Sequence, residues 1–219
     1  MTEFVPNSER EFEKFSGVIL FTGPHGVGKD TLEERFSNGR YKTGRIVRHI
    51  TRQPVGSESN GKDYFFVSKE TFEEIRKQGG FAEAGDFPGV SSGTSFNAIN
   101  KAVQGNDFAT ITLTPQDGLI LSDELTNMGI ENKCLFIGPC PQNIMISNQD
   151  EYLSIIRNRI LKRARASDHI EGRLVMAGLY RELFMKNIDK VQYIENSHNN
   201  LVAALNQINA LAENLMTKK

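Results

Sequence analysis

Cysteine is nearly absent from this chain of 219 residues: Cys134 and Cys140 are its only two. Two cannot frame a disulfide-stapled fold or a four-ligand zinc site. As free thiols they point to a reducing, cytoplasmic setting, and Cys134, within an apolar run, reads as core. An excess of charge of either sign is also missing. Lys and Arg number 26 against 27 Asp and Glu, a formal net charge of −1. That balance gives no general attraction to nucleic acid or to an acidic membrane, so neither is an expected partner. No run of 18 apolar residues is present, which leaves no candidate for a spanning helix. Residues 1–14 are polar and acidic, unlike a secretory signal. Internal repeats and low-complexity tracts are lacking too. What remains is an ordinary globular composition, 38% hydrophobic and 24% charged, sufficient for one good core with small inserted units.

The most informative stretch is Gly23-Pro24-His25-Gly26-Val27-Gly28-Lys29-Asp30-Thr31. A short apolar run, Val18 to Phe21, precedes it, and a charged stretch of helical spacing, Leu32 to Phe36, follows. Strand, glycine loop and helix is the context in which such a loop cradles phosphates. Gly23, Gly26 and Gly28 allow tight turns that aim backbone N–H groups inward. The helix that follows offers its positive end to the same point, and Lys29 adds a point charge for the outer phosphates. His25 and Val27 lie in the same loop; His25 either touches phosphate or faces water. The pattern asks for Ser or Thr at position 30, to meet Mg²⁺, and finds Asp30, with Thr31 one residue on. The ordinary alternative, a glycine-rich strand-to-helix turn, leaves the lysine unexplained.

Strand and helix patterns alternate along the chain. Strands are expected over 17–22, 45–51, 64–67, 109–113, 133–137 and 191–194, and helices over 30–38, 69–78, 96–104, 117–128, 150–165, 170–187 and 199–216. Ser68 is a good N-cap for the second of these helices. Turn formers crowd 52–65, and 81–94 reads as short strands and turns. Residues 1–16 read as a tail with a short helix over Glu9–Phe15. The alternation predicts an α/β fold with a mostly parallel sheet.

Several stretches then resemble the guanylate kinases: Arg48-His-Ile-Thr-Arg52-Gln-Pro, Gly56-x-x-x-Asn60-Gly-Lys-Asp-Tyr64-Phe-Phe-Val-Ser68, Phe72, Phe81-x-Glu83 and Gly93-Thr94. The likeness is dense over 17–95 and traceable to about residue 205. It implies a P-loop NTPase-type parallel sheet flanked by helices, serving as a transferase that uses ATP and Mg²⁺. The core would comprise 17–47, 96–155 and 175–219, the acceptor-binding α+β insertion 48–95, and the helical lid 156–174. It implies that Arg52 and Tyr64 hold the acceptor phosphate, that Glu83 reads guanine, and that Thr94 lies near the base. A carboxylate suits guanine because N1–H and N2–H₂ are donors. Arg159, Arg163 and Arg173 would be lid arginines gathering positive charge on the moving phosphoryl group; a solvated basic face is the ordinary alternative. Asn196 resembles an asparagine that contacts adenine, and Asp30 would serve the metal through water. No general base is assigned. The expected substrates are nucleotides, GMP or dGMP first, and the expected state is a monomer or homodimer.

Four acceptor-site positions depart from that family's pattern. Val55 stands where a second phosphate-gripping arginine is usual, Ser92 where a tyrosine is, and Thr114 where an aspartate helps read guanine. Arg48 replaces a small hydroxyl residue and is expected to restore the charge lost at Val55. The chain also resembles ribose 1,5-bisphosphate phosphokinases in Gly28-Lys29-Asp30-Thr31 and in Arg48-His-Ile-Thr-Arg52, so a sugar phosphate remains an alternative acceptor. A third reading is a non-catalytic guanylate-kinase-like binding domain, although such domains have usually lost the loop lysine and lid arginines. Residues 141–152 read as an insertion without an assigned role. Asp117 and Asp123 read as helix N-terminal and surface acids.

Overall fold

The computed structural model describes residues 15–163, 169–198 and 200–217. The expected helix over Glu9–Phe15 therefore lies almost wholly outside the described residues. At the centre is β1 (Gly17–Thr22), buried at every position. It pairs in parallel with β7 (Phe108–Thr112) on one side and β8 (Asn132–Gly138) on the other. The outer strands are β2 (Thr43–Arg45) on β7 and β9 (Gln192–Glu195) on β8, giving the order β2-β7-β1-β8-β9. A strand covered on both faces needs apolar residues pointing both ways. Val18 and Leu20 enter one core cluster and Ile19 and Phe21 the other, as the two-residue period of a strand requires.

One face is covered by α1 (Lys29–Ser37) and α8 (Leu201–Met216), through Leu32, Phe36, Ala204 and Ile208. The other face carries α3 (Phe96–Val103), α4 (Pro115–Asn127), α6 (Gln149–Arg163) and α7 (Ile170–Lys186). Crossover helices return each strand to the same end, so the carboxyl ends of β1, β7 and β8 share one edge, where ligands of such sheets bind. Gly118 lets α4 sit close to that edge: a Cβ there would meet the Thr22 methyl at 2.4 Å.

A second sheet is built from residues 49–95, in the order β4-β3-β6-β5. Its strands are β3 (His49–Ile50), β4 (Phe65–Phe66), β5 (Phe81–Phe87) and β6 (Val90–Ser95). Beside it lies α2 (Lys69–Lys77), whose cap Ser68 accepts the Thr71 N–H at 3.1 Å. Phe72 of this helix is fully buried, its ring 4.5 Å from that of Phe81.

Two expectations change. The single strand expected over 45–51 is two short strands in different sheets, separated where Ile46 enters the main core and Arg48 turns inward. Residues 81–94 form one long hairpin, turning at Gly89 with φ +80°. Its small polar residues Ser92, Thr94 and Ser95 are buried, so an alternation of size and polarity is missing from the sequence there. The unassigned stretch at 141–152 contains α5 (Gln142–Ser147). Arg181 of α7 secures it, donating to the Met145 and Ile146 carbonyls at 2.5 Å each, which satisfies carbonyls at a helix end. Among the described residues no helix is long and apolar enough to cross a membrane.

His49 gives the small sheet a pH dependence. Its ring lies against Phe65 at 5.0 Å and Phe81 at 5.5 Å, and its buried Nδ1 has no hydrogen-bond partner among the described residues. Burial, with Lys101 nearby, holds its pKa below the ordinary 6.5. A depressed histidine contributes stability that is present above pH 6.5 and is lost as pH falls through its folded pKa. Urea midpoints measured from pH 7.5 to 5 should therefore fall more steeply for the native chain than for His49→Phe; parallel slopes would refute the assignment.

Candidate active site

The glycine loop joins the carboxyl end of β1 to α1. Gly23, Gly26 and Gly28 all take positive φ, at 131°, 82° and 89°. Two of them are also close contacts: a Cβ on Gly23 would lie 2.4 Å from the Ile137 carbonyl oxygen, and one on Gly28 2.6 Å from Asn196 Nδ2. Both backbone conformation and space thus demand glycine. Lys29 opens α1, and its Nζ donates to the Gly23 and Pro24 carbonyls at 2.9 and 2.8 Å. His25, Asp30 and Thr31 are exposed around it, while Val27 is buried beneath.

A cleft of about 330 Å³ opens beside this loop, lined by Gly26, Gly28, Thr31, Arg159, Lys162, Asn196, Ser197 and His198 among others. Asn196 Nδ2 donates to the Val27 carbonyl at 2.8 Å, tying the end of β9 to the loop. Arg159 donates to the Asn196 carbonyl at 2.6 Å and to the Pro139 carbonyl at 3.3 Å. Burial holds its pKa below the ordinary arginine value. One arginine on α6 therefore joins the strand ends beside the loop. Arg163 closes the same helix, and Arg173 lies half-buried in the first turn of α7.

The second cluster lies between the small sheet and α4. Arg48 Nη2 donates to both Glu83 oxygens at 2.8 Å and to Asp117 Oδ2 at 3.2 Å. Thr94, fully buried, donates to Glu83 Oε2 at 3.0 Å. The strands deliver these groups: Glu83 on β5 is paired with Thr94 on β6, and Arg48 directly precedes β3. Thr114 caps α4, its hydroxyl accepting the Asp117 N–H at 3.2 Å. Burial holds the Glu83 carboxyl above its ordinary range, against the pull of Arg48, with the Asp117 charge adding to the rise.

Arg48 thus does not make up for Val55. It turns inward onto two carboxylates, while Val55 is 66% exposed. Asp117 stands in the first turn of α4, as a helix N-terminal acid would, but it is 4% exposed and joins the cluster. The Thr114 cap three residues earlier was the available signal, but the same pattern serves any helix start. Nearer the solvent, Arg52 pairs with Glu58 through both guanidinium nitrogens, at 2.5 and 2.7 Å, and lies 5.2 Å from the Tyr64 ring.

A glycine loop on a parallel sheet, together with a small sheet that carries Glu83 and is flanked by Arg52 and Tyr64, invites comparison with known proteins. A family model described as guanylate kinase matches residues 16–160, well over half of the chain. The chain belongs to the guanylate kinase family. A guanylate kinase of Nostoc sp. is 36% identical over 96 residues, 44% of this chain and 48% of that protein. One of Streptococcus thermophilus is 29% identical over 196 residues, 76% of this chain and 93% of that protein. The match thus spans about half the length of the first relative and nearly all of the second. The crystal structure of guanylate kinase from Anaplasma phagocytophilum shares the fold, with a TM-score of 0.60 at 15% identity, over 91% of this chain and 86% of that one. Within this member of the guanylate kinase family, the cluster around Arg48 ties the small sheet to α4.

The Arg48 side chain is 10% exposed and that of Glu83 fully buried. Removing one partner of such a pair strands the other charge, typically costing about 3–5 kcal/mol. Arg48→Met should show a loss of that order in urea unfolding at pH 7.5. A carboxyl whose folded pKa is raised favours the native state at low pH and loses that contribution as pH rises through the folded value. Without Arg48, the Glu83 carboxyl rises further above 4.5. The deficit of Arg48→Met should therefore shrink as pH falls towards 4.5, and a deficit independent of pH would refute the buried-charge account.

Proposed function

We propose that this protein is an ATP-dependent kinase that transfers the γ-phosphoryl group to a nucleoside monophosphate, with GMP or dGMP as the first acceptor. The observation that carries this is Lys29 at the head of α1, on a loop whose three glycines all hold positive φ. In that arrangement the loop amides and Lys29 hold the donor phosphates. The cleft lined by Arg159, Lys162, Asn196 and His198 takes the adenosine end. Arg52 and Tyr64, adjacent on the small sheet, take the acceptor phosphate. Glu83 and Thr94 lie where the acceptor base enters.

The donor set also suits magnesium. Asp30 is an exposed carboxylate at the loop, and the described residues hold no cluster of three or more metal-ligating side chains. Magnesium keeps several waters and binds through one or two carboxylates together with substrate phosphates, so Asp30 would hold it through water. When bound, the ion neutralises charge on the transferred group. The chain's own residues supply position and positive charge. Phosphate oxygens are already nucleophilic, so no general base is required. Arg159, Arg163 and Arg173 lie on the two helices that flank the donor side; in the proposal they close over the transfer and exclude water. Retention of Lys29 and these arginines speaks against a purely binding role.

Lys29→Ala tests the proposal. A coupled ADP-release assay with ATP, Mg²⁺ and GMP should lose at least about a hundredfold in kcat, since the charge acts on the moving phosphoryl group. The melting temperature should change little, because Lys29 is bonded to the carbonyls of its own loop. Undiminished turnover in a folded variant would overturn the proposal.

A further inference from the structure

A groove of about 540 Å³ runs between α6 and α7 and has no part in the proposed reaction. Its floor is apolar, made by Leu153 of α6 and by Leu174, Val175 and Leu179 of α7. Val175 is 65% exposed and Leu179 52%, one helical turn apart on a single face. Scattered apolar side chains at a surface are ordinary, but an apolar patch rimmed by polar residues marks an association surface. Gly172 and Gly178 lie three residues to either side of Val175, on the same face. Glycine inside a helix weakens it. A Cβ on either would meet no described atom within 4 Å, so packing within the subunit does not call for them.

The two ends of the groove carry opposite charge. Near one end Arg157 Nη2 lies 2.9 Å from Glu171 Oε1 and 3.1 Å from Oε2. Nε and Nη1 of Arg157 make no hydrogen bond to a described residue, and the side chain is 44% exposed. Near the other end Asp150 is exposed, and it makes no hydrogen bond or ion pair with a described residue. Asp150 and Arg157 are seven residues apart on α6, about two turns or 10.5 Å, so both point to the same side. The helices run antiparallel, since Arg157 meets Glu171 at one end and Arg181 donates to Gln149 at 3.1 Å towards the other. The middle of the groove therefore falls between Leu153 and Ser154 on α6, level with Val175 on α7.

We propose that this groove is the interface of a homodimer, with a second copy of the chain as its occupant. A two-fold axis that crosses the groove at its middle, perpendicular to both helices, lays α6 on α6 and α7 on α7 in antiparallel pairs. The rotation exchanges the two ends, so Arg157 of each copy meets the partner's Asp150, and one isologous interface holds that pair twice. Arg157 spends a donor that Glu171 does not use. Val175 lies at the axis, and Leu179 comes opposite the partner's Gly172, where a side chain would otherwise stand in the way. An axis along the groove would instead bring Asp150 towards the partner's Glu182, carboxylate against carboxylate. The self-complementary spacing is what singles out a second copy: symmetry supplies both charges at the required separation. This inference goes beyond the kinase proposal and does not depend on it.

Sedimentation velocity of the full chain tests it. The native chain should form a dimer with a dissociation constant of about 10 µM or tighter. Arg157→Glu and Asp150→Arg should each weaken association at least about thirtyfold, because like charges then face each other twice. Mixed in equal amounts, those two variants should recover the dimer. Each altered charge finds its opposite in the heterodimer and its like in either homodimer. Val175→Glu, at an exposed position, should give a monomer with a native melting temperature. A native chain that stays monomeric up to about 100 µM would overturn the proposal. So would any of the three variants dimerising as the native chain does, or a mixture of the two charge variants that stays monomeric.

Discussion

The fold depends on β1 being hydrogen-bonded in parallel on both sides. Its pairing with β7 and β8 is what aligns three strand ends at one edge, and the glycine loop leads out of the middle one. That loop cannot drift. Gly23 is pressed against the Ile137 carbonyl at the end of β8, and Gly28 against Asn196 just beyond β9. The loop is thus held by the two strands that neighbour it on one side of the sheet. Thr22, the last residue of β1, adds a buried hydrogen bond to the Leu135 carbonyl at 2.7 Å. Any account of donor binding starts from this rigidity, since pre-aimed amides need little reorganisation when charge arrives.

The acceptor side is held by a different force. Here one arginine lies between two carboxylates, from β5 and from α4, in surroundings that exclude water. Such a group is weak support for stability taken as a whole, because desolvation offsets much of the attraction. It is strong support for geometry, because breaking any one contact leaves a buried charge. The small sheet and the core are tied together through Arg48, so the position of the sheet and the partners of Glu83 cannot vary independently.

The conformation of the glycine loop was legible in the sequence for a physical reason. Tight backbone approach has almost one solution, glycine, and a lysine following it has few other uses. The parallel core was legible as well, since apolar runs such as 17–22 and 133–137 admit few alternatives. The Arg48 cluster was not legible. Arg48 and Asp117 are 69 residues apart, and Asp117 near a helix start is accounted for by the helix dipole alone. Nor could β6 be seen as a full strand, because Ser92, Gly93 and Thr94 are buried for their smallness and hydroxyls, not for apolar character. Thr114 caps the turn that carries Asp117 into the cluster, which the sequence did not show.

What each cation is bonded to decides which of them can serve a phosphate. Lys29 and Arg159 are bonded to backbone carbonyls, and Arg52 to a partly exposed glutamate. A phosphate oxygen is a stronger, charged acceptor than a neutral carbonyl, and a partly exposed carboxylate released from its partner is promptly hydrated. Exchange at Arg159 and Arg52 is therefore cheap. Arg48 holds two buried carboxylates, neither of which water can replace, so its exchange is expensive. The consequence is a division of labour among positive charges of the same chemical type. The exchangeable ones can change partners at little cost, and the locked one holds the small sheet to α4.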